Sequence, residues 1–553
     1  MRLTWKSVSP QLALWLVGIG AVLFNFRYQL RNGTQLLSGD RYDGFIATAI
    51  LEHWYNVFRG LSSWATTNFF YPHPHTLGYN DGYLLYGVIY SAFRAIGTDA
   101  FLSAELVNVS LRAFGFAAFY SMGRNVFGWT FAWSVFGAAL FTLANSVFVH
   151  AHHTQLFAVC FVPAFALLLA RSGRAFWSLE RGRFIGYGLT SAAFFGAWLL
   201  TAYYMAWYCA FFALVLVISL ATLSSRQQLS DSWARARTML SALLIVGLGA
   251  ILAIAPFAWL YLPKAAETGM HSYSVALSFA PNLLDTFNVG PGNVVWAWLI
   301  RLVNSALGAS GFSTGEPATG MPPGLVVAFL VSCVVLARWR STEPDRVPKV
   351  ILAIALTSVV TWGLTLRLGD TSGWWFVYHL VPGAKAARAV SRYQIFLVVP
   401  VIITVVSTLA LVRDRNPWMI GALCASLLIE NANTLPPLGV ARFREVARLE
   451  AIGRPPSECK HFFASSARPA SLYGAETDAR YSHNVDAMLV AEVTGVPTIN
   501  GIASFSPPWW DLFHAEAPDY RARVSEHVKR FGLTAPCELD LRKSRWVLGG
   551  IAK

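Results

Sequence analysis

The sequence predicts an α-helical polytopic membrane protein, with about eleven spans and a small α/β domain at the C-terminal end. Three observations lead there. The 553 residues are 55% apolar and only 13% charged, and that charged share is about half of what a soluble domain carries. The apolar residues gather in runs of roughly 17 to 22 with almost no charge, the length that crosses about 30 Å of hydrocarbon. Lys and Arg collect in the short segments between alternate runs, as cytoplasmic loops do. A mean hydropathy of +0.47 excludes a disordered chain, a secreted disulfide scaffold and an ordinary soluble enzyme. The 21 Trp and 20 Tyr suit belts at the two membrane interfaces.

Arg2 and Lys6 precede the first apolar run, from Gln11 to Phe26. No small-residue cleavage site follows, and Arg27 and Tyr28 come next. The run therefore reads as a retained first span with a cytoplasmic N-terminus, not as a signal peptide. Later spans are placed at 101–122, 130–149, 154–170, 185–200, 203–223, 239–261, 322–338, 350–366, 390–412 and 417–432. The stretch 82–97 is also apolar, but Tyr83, Tyr86, Tyr90 and Arg94 mark it as interfacial.

Charge tests this assignment. Arg171, Arg174, Arg181 and Arg183 share one loop, Arg226, Arg235 and Arg237 a second, and Arg338, Arg340, Arg346 and Lys349 a third, with Arg413 and Arg415 after the tenth span. Eleven spans put all of them on one side, while 150–153 and 201–202 on the other side hold no Lys or Arg. A full span at 82–97 would turn every basic loop outward. The net charge of +14 is thus a topology signal, and nucleic acid is not a partner.

A transmembrane unit at 1–439 then carries the extracytoplasmic loops 27–100, 262–321 and 367–389, and a polar tail at 440–553 is long enough for its own domain. Trp296, Trp298, Leu299, Leu302 and Val303 suggest an amphipathic surface helix. In the tail, Ala487–Val493 and Trp546–Leu548 read as short strands. Cys160, Cys209, Cys333 and Cys424 fall in spans as packing residues, whereas Cys459 and Cys537 both fall in the tail and suggest a disulfide. No repeat of 20–50 residues is visible.

The chemistry gathers in three places. After the first span comes Gly39-Asp40-Arg41-Tyr42-Asp43, and later Phe70-Tyr71-Pro72-His73-Pro74-His75 and Tyr79-Asn80-Asp81-Gly82. Acidic groups at the membrane surface tend to be functional, but Asp40 also suits the cap of a helix starting near Asp43. His150, His152, His153 and Gln155 form the second group, which is either a polar turn or a sugar contact. The His152-His153 pair lacks the spacing of a helical metal site, so no metal ligand is assigned. The third group is Lys385, Arg388 and Arg392, on a side where cations are otherwise sparse. Arg388 and Arg392 stand four apart and would share a helix face, and paired guanidiniums suit a phosphate; snorkelling to headgroups is the bland alternative.

These motifs resemble the GT-C membrane glycosyltransferases, and more narrowly a broad group of bacterial proteins of that type. The resemblance rests on Gly39-Asp40, Phe70-Tyr71-Pro72, Asn80-Asp81, His153-Thr154-Gln155, Leu380-Val381-Pro382-Gly383 with Arg388 and Arg392, Asn500-Gly501 and Ser506-Pro507-Pro508, in the expected order over nearly the whole chain. It implies sugar transfer from a polyprenyl-phosphate donor to a glycan, lipid or protein acceptor at the extracytoplasmic face of the plasma (inner) membrane. It also implies a first-loop acid as base or metal contact. That role falls to Asp40, with Asp43 and Asp81 behind it. The paired Asp-Glu of some protein mannosyltransferases is absent, since Arg41 follows Asp40, so the acceptor and a divalent metal both stay open, and no other cofactor is implied.

The expected reaction is inverting. Asp40 takes the acceptor proton, Arg388 and Arg392 meet the departing phosphate, and His153, Gln155, Asp43, Asp81 and Lys385 hold substrate. A transporter or flippase of lipid-linked sugar, or a non-catalytic envelope assembly protein, is the alternative. Mid-span charges and internal repeats, which would mark a transporter, are not seen.

Overall fold

The computed structural model describes residues 9–308, 311–342, 347–413, 416–436, 438–469 and 474–548. Arg2, Lys6, Arg346 and Arg415 lie outside these residues. Every span read from the sequence is helical. Among the described residues, seven helical stretches are long and apolar enough to cross a membrane: Ala100–Asn125, Phe131–Val149, Thr154–Trp177, Tyr203–Thr222, Leu240–Thr268, Pro323–Thr342 and Val390–Val412. Pro10–Asn25, Lys349–Thr365 and Pro417–Ile429 are apolar but shorter, and Arg181–Leu199 carries two arginines in its first turn.

The stretch Phe131–Val149 is broken at Leu143 and Ala144. Buried polar groups receive the freed backbone, as they must where water is excluded. Asn25 Nδ2 donates to the Thr142 carbonyl at 2.8 Å, and Asn431 Oδ1 accepts from Asn145 N at 2.9 Å.

The stretch 82–97 forms the helix Leu84–Ala95. Its 12 residues rise only about 18 Å, too little to cross. It is tied instead to the first-loop helix Asp43–Phe58: Arg94 forks onto Glu52 at 2.9 and 3.0 Å, and Tyr90 Oη donates to the same carboxylate at 2.5 Å. In the second loop, Ala297–Leu307 is the expected surface helix, with Trp298 and Leu302 exposed and Ile300 buried.

In the tail, strand Phe462–Ala464 lies parallel to Cys537–Asp540, which pairs antiparallel with Arg545–Val547. The bond between Cys459 and Cys537 staples this sheet, closing a separation of 78 residues; a loop of that size stabilises by about 4 kcal/mol on chain-entropy grounds. One expectation is overturned. Ala487–Val493 is not a strand but part of the helix Ala475–Thr494. Residues 482–492 are buried throughout, so the run lost the period that separates helix from strand.

This tail helix packs on the first-loop helix. Buried Glu492 accepts from Asn68 N at 2.7 Å and from Asn56 and Asn68 side chains. Asp486 is forked by Arg468 at 2.7 Å and approached by Arg41. The backbone of Phe70 and Tyr71 donates to Asn500 and Thr498 carbonyls at 2.9 Å. The two motifs Phe70-Tyr71 and Asn500-Gly501 are therefore the two sides of one seam. A further strand, Leu438–Ala441, reaches back to pair with Leu36–Ser38 just before Asp40.

Candidate functional site

A cavity of about 500 Å³ opens between the membrane unit and the tail. The membrane unit supplies Asp43, Asp81, Gln155, Glu316, Arg388 and Arg392, and the tail supplies Arg480, Tyr481, Ser504, Phe505 and Phe513.

The first loop brings Asp43 there. Gly39 turns the chain at φ +99°, a backbone that strains any other residue, and a Cβ there would press on the Gly44 backbone at 3.3 Å. Asp40 then caps the turn. Its Oδ1 accepts from Tyr42 N at 2.7 Å, and it is buried and absent from the cavity wall. The expected catalytic carboxylate thus braces the turn just before a helix, and the acid that lines the cavity is Asp43, in the first helical turn.

Asp43 belongs to a charged string. Its Oδ2 lies 3.0 Å from His153 Nδ1, and His153 Nε2 lies 3.3 Å from Glu316 Oε1. Glu316 accepts a fork from Arg392, at 2.9 Å to Nε and 2.7 Å to Nη2. Burial works against the Asp43 charge, but the contact with His153 outweighs it and holds the carboxyl below its ordinary value. Burial likewise opposes the Glu316 charge, while Arg392 and His153 hold that carboxyl well below the usual range. Burial and Arg392 disfavour a charged His153, yet Asp43 and Glu316 prevail and raise it. With His153 protonated, two anions and two cations would alternate along the string and their charges would cancel.

The arginine pair is corrected by this geometry. Arg388 and Arg392 do not share a helix face, because two short 3-10 turns, Ala384–Ala386 and Val390–Arg392, replace the helix between them. Arg392 is committed to Glu316. Arg388 meets no carboxylate among the described residues; its guanidinium lies 5.1 Å from the Phe279 ring centre. Lys385 rests against the Tyr378 ring at 5.5 Å and does not line the cavity.

The start of the helix Tyr203–Thr222 fixes both Arg388 and Asp81. Tyr203 Oη and Trp207 Nε1 donate to the Gly383 and Pro382 carbonyls at 2.8 and 2.9 Å, and Tyr204 Oη accepts from Arg388 N at 2.9 Å. Tyr203 N, the first of that helix, donates to Asp81 Oδ1 at 2.8 Å. Gly82 lets the chain pass there, since a Cβ would meet the Leu200 carbonyl at 2.3 Å. Asp81 Oδ2 receives no hydrogen bond from the described residues, and burial pushes this carboxyl up to about 6. Gln155 Oε1 accepts from Tyr83 Oη at 2.9 Å.

His150, His152 and His153 bring one ligand atom each within 4.8 Å of one another. Burial lowers His150 to about 4 and His152 to about 3, so both are neutral near pH 7. His150 Nδ1 is buried without a partner. His153, however, has both ring nitrogens against carboxylates. His150 Nε2 already meets the Ala318 carbonyl at 2.9 Å and His153 meets two carboxylates, so the three rings are not equally available to an ion.

Glu316, Tyr204 and Arg480 were not singled out from the sequence. Glu316 is a lone acid in a Gly-Pro turn, and nothing local links it to an arginine 76 residues on.

No family model and no curated protein matches the sequence. Solved structures do. Over 96% of its length the chain superposes on the apo oligosaccharyltransferase of Archaeoglobus fulgidus, covering 70% of that chain at 11% identity and a TM-score of 0.51. The fold is GT-C-like. The mycobacterial arabinofuranosyltransferase AftD matches over 97% of this chain and 36% of its own, at 14% identity and TM-score 0.42. ArnT from Cupriavidus metallidurans, solved with undecaprenyl phosphate, matches over 82% of each chain, at 14% identity and TM-score 0.33. Identities this low carry the fold and not the chemistry. The chain is an integral membrane protein built on that fold.

Proposed function

We propose that the protein is a membrane glycosyltransferase that moves a sugar from a polyprenyl-phosphate donor to an acceptor hydroxyl, at the extracytoplasmic face of the plasma membrane. One observation carries this reading: a single cavity, walled by both units, holds an open carboxylate at Asp81 and, at Arg388, a cation that meets no carboxylate among the described residues. Acceptor activation and phosphate departure need those two groups on facing sides of one sugar.

Asp81 replaces Asp40 as the base. A base works best when its proton affinity lies near the working pH, and burial has moved Asp81 toward it, whereas Asp43 is held ionised by His153. The acceptor O–H gives its proton to Asp81 Oδ2, the oxygen bonds to the anomeric carbon, and the carbon–phosphate oxygen bond breaks on the opposite face, inverting the centre. The pair of electrons leaves with the phosphate, whose charge Arg388 meets in a partly dry site. Asp43, His153, Glu316 and Arg392 hold the cavity floor, and Gln155 offers an amide to sugar hydroxyls. The acceptor class is a glycan, lipid or protein hydroxyl.

The test is transfer from a radiolabelled polyprenyl-phosphate sugar by the purified chain in nanodiscs. Asp81→Asn is expected to lose transfer while keeping donor binding. Wild-type rates in that variant would remove Asp81 from the base role, and donor use untouched by Arg388→Ala would remove the phosphate contact.

A further inference from the structure

The tail loop that walls the cavity also thrusts one tryptophan away from it. Trp509 is 81% exposed, far from what a large aromatic in a soluble domain needs. It also stands at φ +65°, a conformation that penalises a bulky residue. Its neighbour Trp510 takes the ordinary role. It is buried, its Nε1 donates to the Ile499 carbonyl at 2.8 Å, and its ring meets Phe70 and Phe513 edge-on. Trp510 thus anchors the loop, and the strain at Trp509 contributes nothing to the core.

The surroundings of Trp509 are charged. The Arg530 guanidinium lies 5.2 Å from its ring centre and is paired to Glu526 at 2.8 Å. Nearby in the same loop, Asp511 is held by Arg523 at 3.0 Å. A ring sunk in hydrocarbon would need apolar neighbours. A ring set among hydrogen-bonding groups suits a sugar, whose C–H face lies on the indole while its hydroxyls meet the charges. Trp509 follows cavity-lining Ser506 by three residues, no more than about 11 Å of chain.

We propose that Trp509 is a sugar-stacking platform outside the cavity, and that the acceptor is a glycan chain whose end enters the cavity while a residue farther along lies on the ring. This rests on the glycosyl-transfer reading and narrows its acceptor.

The experiment places the full chain, labelled and in nanodiscs, on an array of bacterial-envelope oligosaccharides graded by length, with Trp509→Ala, Trp509→Gly and Trp509→Phe beside it. The wild type holds longer chains more tightly than single sugars. The Ala and Gly variants lose that preference, with long chains about threefold to tenfold weaker, and the Phe variant keeps most of it. Glycine also relieves the backbone, so Trp509→Gly melts at or above the wild-type temperature while binding worse, a combination that a structural role would not give.

The same length preference in Trp509→Ala, or none in the wild type, overturns the proposal. So does a loss confined to binding of phosphatidylcholine–phosphatidylglycerol vesicles, which would make the ring a membrane contact. Sugar transfer to single sugars as fast as to chains overturns it too, and leaves glycosyl transfer standing. Binding that depends on length and on Trp509, without any transfer, keeps the platform and overturns the reading of the cavity.

Discussion

At the scale of single residues, Asp81 carries the sharpest expectation. Its carboxyl is raised by burial to about 6, so the base form is complete above that pH and is lost as pH falls through it. Transfer should drop about tenfold per pH unit below 6, and the acid limb should vanish from the residual activity of Asp81→Asn, whose rate falls about 100- to 10,000-fold. Burying a carboxylate opposes folding at neutral pH, and asparagine keeps an oxygen for Tyr203 N. The variant should therefore melt no lower than the wild type at pH 7, as scanning calorimetry would read. Asp40 behaves in the opposite way. Removing its side chain in Asp40→Ala leaves the Tyr42 amide without its acceptor and should cost about 1–3 kcal/mol, while Asp40→Asn keeps an acceptor oxygen there and should transfer sugar at close to the wild-type rate. The arginines separate in the same manner. Arg388→Ala should cut transfer about 100- to 1,000-fold with little change in stability. Arg392→Ala leaves the half-buried Glu316 carboxylate with His153 as its one remaining charged contact among the described residues and should lower the melting temperature.

At the scale of elements, the loop 382–389 shows why part of the site was legible and part was not. Arg388 stood out because a cation outside breaks the charge rule, and it does line the cavity, as do Asp43, Asp81 and Gln155. The helix expected to carry Arg388 beside Arg392 does not form there. The loop is instead held by side chains from the helix Tyr203–Thr222, roughly 180 residues away in sequence, as the Tyr203–Gly383 separation shows. No local period records such a hold. Asp40 and Asp43 show the same limit at short range. Both read as acids near a helix start, and only the register of the turn decides which one braces the turn and which one faces the cavity. The hold itself can be tested. Tyr204→Phe removes the acceptor for Arg388 N and keeps the ring, so it should raise the donor KM several-fold with a smaller change in kcat, which steady-state kinetics would separate. Equal losses in KM and kcat for Tyr204→Phe and Arg388→Ala would show that Tyr204 does more than position the loop.

At the scale of the whole molecule, spans were the most legible feature, because about 20 apolar residues in a row have few other uses. The joining of tail to membrane unit was invisible: it runs through Glu492, Asp486 and the backbone seam of Phe70 and Asn500, all of them long-range pairings that no local pattern records. The join does tie the side of the cavity to the side of the tail. The cavity lies between tail and membrane unit, so wherever the tail stands the chemistry stands too. The Cys459–Cys537 bond argues for an oxidising compartment, since cytosolic thiols are kept reduced, and the basic loops argue that the opposite face is cytoplasmic. Two exposed cations test both at once. Lys543 in the tail is 69% exposed, and Arg183 in a basic loop is 72% exposed. In intact cells an impermeant maleimide should label Lys543→Cys, and it should reach Arg183→Cys only after permeabilisation. The wild type supplies the background, because its four remaining cysteines are free but partly or wholly buried. The reverse pattern would put the cavity in the cytoplasm, where the disulfide has no reason to persist and a donor presented on the outer leaflet could not enter.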